Sequence, residues 1–219
     1  IVVGNGLVPV QTAPVTFGAL NITTSDGTAL EANRQTGTIT SISGTISATN
    51  GAAINVINSV GNTTPLAMIL TSASANGGTV GGIVLSGATG SLNIAGGSLN
   101  TGGNSISLLN TSLAFTYNGS ATHSTAGNYV VSIDGATGSV SLGGAISATN
   151  PSSGVLVQNG GGTVTFTTLT LGTSVVRLTN TPLTLTNHGG TVNLGTVSVF
   201  TNGVTAMNAT NNNGTINST

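Results

Sequence analysis

The sequence contains no cysteine, no lysine and no tryptophan. Without cysteine there is neither a disulfide framework nor a thiolate metal site. With Arg34 and Arg177 as its only cationic side chains besides two histidines, the chain lacks the clustered positive charge that phosphate neutralisation requires. Nucleic acid and anionic membrane surfaces are therefore excluded as partners. Charged residues make up 2% of the chain, against about 25% in an ordinary domain. No window approaches 18 consecutive apolar residues, so these residues encode no membrane-spanning helix. A helix of ten residues or more is equally hard to place. Thr, Ser, Gly, Asn, Val and Ile dominate throughout, and β-branching or lost backbone order disfavours helix in most of them.

What remains is a chain rich in glycine, with 34 of them, and in small polar and β-branched residues, with a net charge of −1. Disorder goes with low hydrophobicity and high net charge, yet mean hydropathy here is +0.36 and Val, Ile and Leu recur at fixed intervals. A repetitive β structure satisfies both facts. The 219 residues fit a single elongated domain. Residues 1–16 read as a strand segment that caps the domain or links subunits, and residues 17–219 as repeats.

The clearest copy is Thr137 to Asn159, in which small polar and apolar residues alternate, a turn cluster follows at Asn150-Pro151, and Val155-Leu156-Val157 runs on. Thr137-Gly-Ser-Val-Ser-Leu142 matches Thr89-Gly-Ser-Leu-Asn-Ile94, and the likeness extends back through Ile133-Asp-Gly-Ala136 and Leu85-Ser-Gly-Ala88. Glycines 18, 90, 138, 162, 190 and 214 open successive or spaced copies of a module of about 24 residues. Gly37 sits out of phase, and the step from Gly162 to Gly190 is long, as small insertions at turns produce.

A second landmark is an apolar alternation closed by asparagine, at Thr28–Asn33, Ile54–Asn58, Ile106–Asn110, Val155–Asn159, Val176–Asn180 and Val204–Asn208. A third strand is expected at Pro65–Leu70, Ile83–Leu85, Tyr129–Ile133 and Pro182–Leu185. Like residues repeating in the same sense favour coils stacked in parallel over an antiparallel sandwich, because each module leaves a strand edge that only the next can cover. About nine such coils at roughly 4.8 Å each form a rod on the order of 40 Å long. Val, Ile, Leu and Ala are expected to face inward, asparagines at strand ends to stack as amide ladders, and glycines to occupy corners with positive φ.

These repeats resemble the right-handed parallel β-helix repeats of bacterial autotransporter passengers, large adhesins and related surface or extracellular proteins. The resemblance implies an all-β fold, a single-stranded right-handed parallel β-helix. It also implies an extracellular or cell-surface location and a structural or adhesive role, with host or matrix glycans as conceivable partners. The calcium-binding Gly-Gly-x-Gly-x-Asp series of RTX proteins is absent.

Candidate chemistry is confined to Asp26, Glu31, Arg34, Asp134, Arg177, His123 and His188. Carbohydrate-active β-helix enzymes, lyases or hydrolases, gather carboxylates or calcium ligands in one groove. That rival reading requires Asp26, Glu31 and Asp134 to meet. Asp26-Gly27 instead reads as a turn, Glu31 with Arg34 as a solvated pair, His123 as a loop residue in the polar excursion Gly119–Gly127, and His188 as a turn residue. Two isolated histidines make no zinc site, and no nucleophile elbow supports a catalytic triad. No catalytic residue, cofactor or metal is assigned. Glycine pairs such as Gly77-Gly78 and Gly161-Gly162 lack the lysine and helix of a phosphate loop and read as corners.

Thr-x-Thr pairs at Thr38/Thr40, Thr165/Thr167, Thr168/Thr170 and Thr184/Thr186 resemble the arrays of β-solenoid ice-binding proteins. That alternative requires a flat threonine face over at least four rungs. Neither end carries the amphipathic helix or charged strand that blunts an open sheet. The chain therefore reads either as a section of a longer β-helix or as a subunit that stacks head to tail. The assembly residues expected are Ile1, Val2, Val3, Leu7, Val8 and Val10 at one end and Ile216 at the other.

Overall fold

The computed structural model describes residues 1–3, 10–58, 61–123, 128–150 and 154–218. Within them every named element is a β-strand and every strand pairing is parallel. The chain winds as a β-solenoid of about eight turns of about 24 residues. Alternation explains the strands, and stacking explains their partners. Val131-Ser-Ile-Asp134 lies on Val155-Leu-Val-Gln158 with Val on Val and Ile on Val, and the register repeats from coil to coil.

Each coil has three faces. The first is a nine-stranded sheet whose inward columns run Leu30, Ile54, Ile83, Ile106, Val131, Val155, Leu183 and Ala32, Val56, Leu85, Leu108, Ile133, Val157, Leu185. All of these side chains are buried. The second face carries Ser41, Met68, Leu92, Phe115, Val140, Val164 and Val192 in one inward column. The third face is formed by Ile22–Thr24, Thr45–Thr49, Ser72–Asn76, Ser98–Asn100 and Ser120–His123. In the later coils the second and third faces share one bent strand, at Val140–Ala148, Val164–Leu171 and Thr191–Val199.

The structure corrects six local assignments. Ile83–Leu85, Val131–Ile133 and Leu183–Leu185 are first-face rungs lying between the Asn-closed segments, while Pro65–Leu70 belongs to the second face. The third strand of each early coil is instead a segment such as Thr45–Thr49 or Ser72–Asn76. Val176–Asn180 contains only a single-residue bridge, Leu178 to Thr201, because the strand of that coil lies beyond it at Leu183–Thr186. Gly18 is not equivalent to Gly90: Val15 stacks on Ile39, Ile39 on Leu66, and Leu66 on Gly90.

The corner after most first-face strands holds a left-handed residue. Arg34, Asn110, Asn159, Asn187 and Asn211 have φ between 50° and 57° there, and Gly87 and Gly135 fill the same corner. Asparagine tolerates this conformation because its short polar side chain bonds locally. The expected amide ladder forms in part. Asn187 Nδ2 donates to Asn159 Oδ1 at 3.2 Å, and Asn159 Nδ2 donates to Asp134 Oδ1 at 2.9 Å. Asn33 and Asn208 lie within strands instead. Asn58 turns inward, where it and Thr64 bond the carbonyl of buried Gln35.

The module-opening glycines mark close approach rather than dihedral need in most cases. A Cβ at Gly138 would overlap the Leu113 carbonyl, one at Gly162 the Gly138 oxygen, one at Gly190 the Gly162 oxygen, and one at Gly214 the Gly190 oxygen. Gly161 has open space around its Cβ position and no positive φ. Gly162→Ala is therefore expected to lower stability by at least about 2 kcal/mol. Gly161→Ala should leave it within about 1 kcal/mol of the parent, on the stabilising side. Urea midpoints followed by circular dichroism separate the two, and equal losses would refute the stacking explanation.

Candidate functional site

The acidic residues do not converge. Glu31 sits on the Leu30–Asn33 rung and Asp134 on the Val131–Asp134 rung, with the Ile54, Ile83 and Ile106 strands between them. Four rung steps separate them, roughly 19 Å. Asp26 lies in the turn after Ile22–Thr24, where Thr24 Oγ1 donates to the Gly27 carbonyl at 2.9 Å. Asp134 is engaged by two amides, Gln158 Nε2 at 2.8 Å and Asn159 Nδ2 at 2.9 Å. It acts as an outward link in the first-face ladder, its carboxylate accepting from the coil above. Among the described residues, no three His, Asp or Glu side chains group as metal ligands. Arg177 is exposed at the Leu178 bridge, its guanidinium 3.5 Å from the Thr201 carbonyl.

Both histidines point inward. His123, expected in a loop, ends the strand Ser120–His123 and pairs in register with Ala148. It is fully buried, with Nδ1 2.9 Å from the Thr101 carbonyl. The remainder of the polar excursion, Ser124 to Gly127, lies outside the described residues. His188 occupies a turn, as expected, but its ring is buried. Its Nε2 lies 3.0 Å from the Gly162 carbonyl, which sets Nε2 as the protonated nitrogen, and Nδ1 is buried without a partner. Burial pushes its pKa below the ordinary histidine range, partly opposed by the Gly162 bond. Tyr117 is likewise internal. It donates to the Ala73 and Ser120 carbonyls, each at 3.2 Å, and burial raises its pKa.

The expected assembly residues fall at the two ends. Ile1 to Val3 join the chain's own first face, with Val2 on Glu31, Val3 on Ala32, and Ile1 accepting from the Glu31 amide at 2.9 Å. Val3 is buried, while Ile1 and Val2 are exposed. Leu7 and Val8 lie outside the described residues, and Val10 is half-buried. At the other end Met207 and Ile216 are exposed on the last rungs of the first and second faces.

The Thr-x-Thr pairs do not form one array. Thr40 and Thr165 point out from the second face, Thr168 and Thr170 from the third, and Thr184 and Thr186 from the first. A different regular surface does exist on the third face. One outward column runs Ser47, Ser74, Ser98, Ser120 and, after Ala145, Thr168 and Thr196. Beside it, two residues along each strand, run Thr49, Asn76, Asn100, Thr122, Ser147, Thr170 and Ser198. Residues between the columns, among them Ala48, Ala75, Leu99, Ala121, Ile146 and Leu169, are buried in the core. Little of the surface column is consumed internally: Ser74 Oγ accepts from the Ser98 amide, and Thr122 Oγ1 donates to the Leu99 carbonyl.

The His188 geometry sets a pH dependence. The unfolded chain takes up a proton near the ordinary histidine value, about 6.5, while the folded chain resists it. The folded state binds fewer protons in that window, so stability is full above it and falls as pH drops through about 6.5. His188→Gln should flatten this slope between pH 7 and pH 5, read as urea midpoints at each pH. A wild-type slope that survives the substitution would assign the effect elsewhere.

Comparison with protein-family models, with curated proteins and with solved structures returns no match for this chain.

Proposed function

We propose that this chain is a non-catalytic structural or adhesive β-helix of the extracellular space or cell surface, a stalk or fibre subunit that stacks head to tail. The observation that carries the reading is the continuity of its inward columns to both ends. At one end the first-face columns finish at Met207 and Ala209; at the other they begin at Ile1 and Val3. A second copy placing Val2–Val3 on Met207–Thr210 extends both columns in register and covers exposed apolar side chains at each end. Such a contact is heterologous, and when it does not close it builds a filament.

The flanks support the same reading. They hold almost no charge to keep neighbouring copies apart, and the carboxylates are spread along the rod rather than facing one another.

Electron microscopy and sedimentation of the purified chain test the proposal directly. Rods longer than the roughly 40 Å of one chain are expected, growing with concentration. Met207→Lys with Ile216→Lys should raise the concentration needed for assembly at least tenfold, because each buries an unpaired charge at the junction. Monomers at every concentration, or filaments indifferent to both substitutions, would overturn head-to-tail stacking.

A further inference from the structure

The chain holds seven Asn-Gly steps, beginning at Asn5, Asn50, Asn76, Asn118, Asn159, Asn202 and Asn213. This dipeptide carries latent chemistry. The backbone nitrogen of the glycine attacks the asparagine Cγ and closes a five-membered ring, while the bond from Cγ to Nδ2 breaks and ammonia leaves. Water then opens the resulting succinimide at one carbonyl or the other, giving aspartate or isoaspartate. The balance is one water taken up and one ammonia released, with no redox change. Glycine favours the step because no Cβ obstructs the approach and its backbone turns freely. As in any ring closure, the reacting atoms must be free to reach one another. The amide proton of the glycine must also be open to base.

The fold decides which of these steps meets both demands. Gly51, Gly119 and Gly160 are buried, each pressed on the coil before it. A Cβ there would overlap the Gly27 backbone, the Gly97 oxygen and the Ala136 oxygen respectively. Asn159 is restrained further, since its Nδ2 donates to Asp134 Oδ1 at 2.9 Å. Gly77 and Gly214 are less enclosed, yet their amides donate to the Asn100 carbonyl at 2.9 Å and the His188 carbonyl at 3.3 Å. An amide so engaged is held away from Cγ and shielded from base. Asn5 and Gly6 lie outside the described residues.

Among the described residues, Asn202-Gly203 alone escapes both restraints. Both residues are exposed, and nothing lies within 4 Å of a Cβ placed on Gly203. No backbone bond engages the Gly203 amide, while the chain just before it is anchored, the Asn202 amide donating to the Leu178 carbonyl at 2.9 Å. The Arg177 guanidinium lies 3.5 Å from the adjoining Thr201 carbonyl. A positive charge there favours both the loss of an amide proton and the carboxylate that forms. We infer that Asn202-Gly203 is a site of spontaneous backbone modification in the native fold, converting to aspartyl and isoaspartyl forms. Conversion adds a negative charge to a chain whose net charge is −1. The isoaspartyl form also adds a carbon to the path from the Leu178–Thr201 bridge to the Met207–Thr210 rung.

The test is incubation of the dilute full chain in mildly alkaline buffer, followed by peptide mapping with mass spectrometry, which reads about one mass unit gained per event. The rate at Asn202 is expected to exceed that at Asn50, Asn76, Asn118, Asn159 or Asn213 at least about tenfold. In guanidinium chloride the same six steps should converge to within about threefold, because the restraint of the fold is gone. Asn202→Gln should remove the first acidic species seen on isoelectric focusing of the folded chain. Native rates at Asn202 no higher than at the other five, or survival of that species in Asn202→Gln, would overturn the inference. Selectivity that persists unchanged in guanidinium chloride would assign it to local sequence and overturn it too. The comparison of folded with denatured parent stands without the variant, and the use of dilute chain keeps the result apart from head-to-tail stacking.

Discussion

Everything in this molecule depends on one constraint: the backbone amides and carbonyls of its strands are satisfied by the coil above or below. Among the described residues, no strand finds its partner within its own turn. The ladders run along the axis at corners as well as in the strands, for instance from the Ala29 amide to the Ala52 carbonyl and from the Ile106 amide to the Val130 carbonyl. Since buried unpaired backbone groups are costly, each turn must keep the path of its neighbour. Side-chain choice then follows position: branched apolar residues inside, left-handed Asn or Gly at one corner, and glycine where backbones nearly touch.

That dependence confines longer insertions to turns, while a single extra residue is absorbed as a bulge between Leu142 and Ala145. Between Ile54 and Ile83 on the first face, and between Val155 and Leu183, the spacing exceeds the common repeat, yet each pair still faces its partner in register. The extra residues are taken up outside the strands, such as the segment around Val175, which is almost fully exposed. Inward columns tolerate changes of size because neighbours compensate. Phe115 and Tyr117 lie below Val140 and Leu142, which in turn meet Val164 and Phe166, alternating bulk along the interior.

The parts of the fold that were legible in the sequence are those with strong contrast. Val-Leu-Val and Ile-Ser-Leu stand out against polar neighbours, and the Gly-Thr-Val openings recur because a carbonyl lies where a Cβ would be. The third face was illegible for the opposite reason. Thr-Ile-Ser-Ala-Thr and Ser-Ala-Ser-Ala-Asn alternate serine with alanine, and residues so alike in size and polarity give no periodic signal. His123 was misplaced because polar neighbours suggested a loop, while its register with Ala148 put it indoors. The scatter of the Thr-x-Thr pairs has a similar origin, since a two-residue period occurs on every face and does not say which.

Nearest-neighbour stacking also decides how the rod responds to tension. Each turn is held mainly by the next through hydrogen bonds and a shared slice of core, although the Tyr117 hydroxyl reaches two coils away to the Ala73 carbonyl. A pull on one end therefore peels a single turn at a time, and each release frees about 24 residues. Fully drawn out, that length is roughly 80 Å, against the roughly 4.8 Å it occupied when wound. A fold built this way lengthens under load in repeated small yields instead of one rupture.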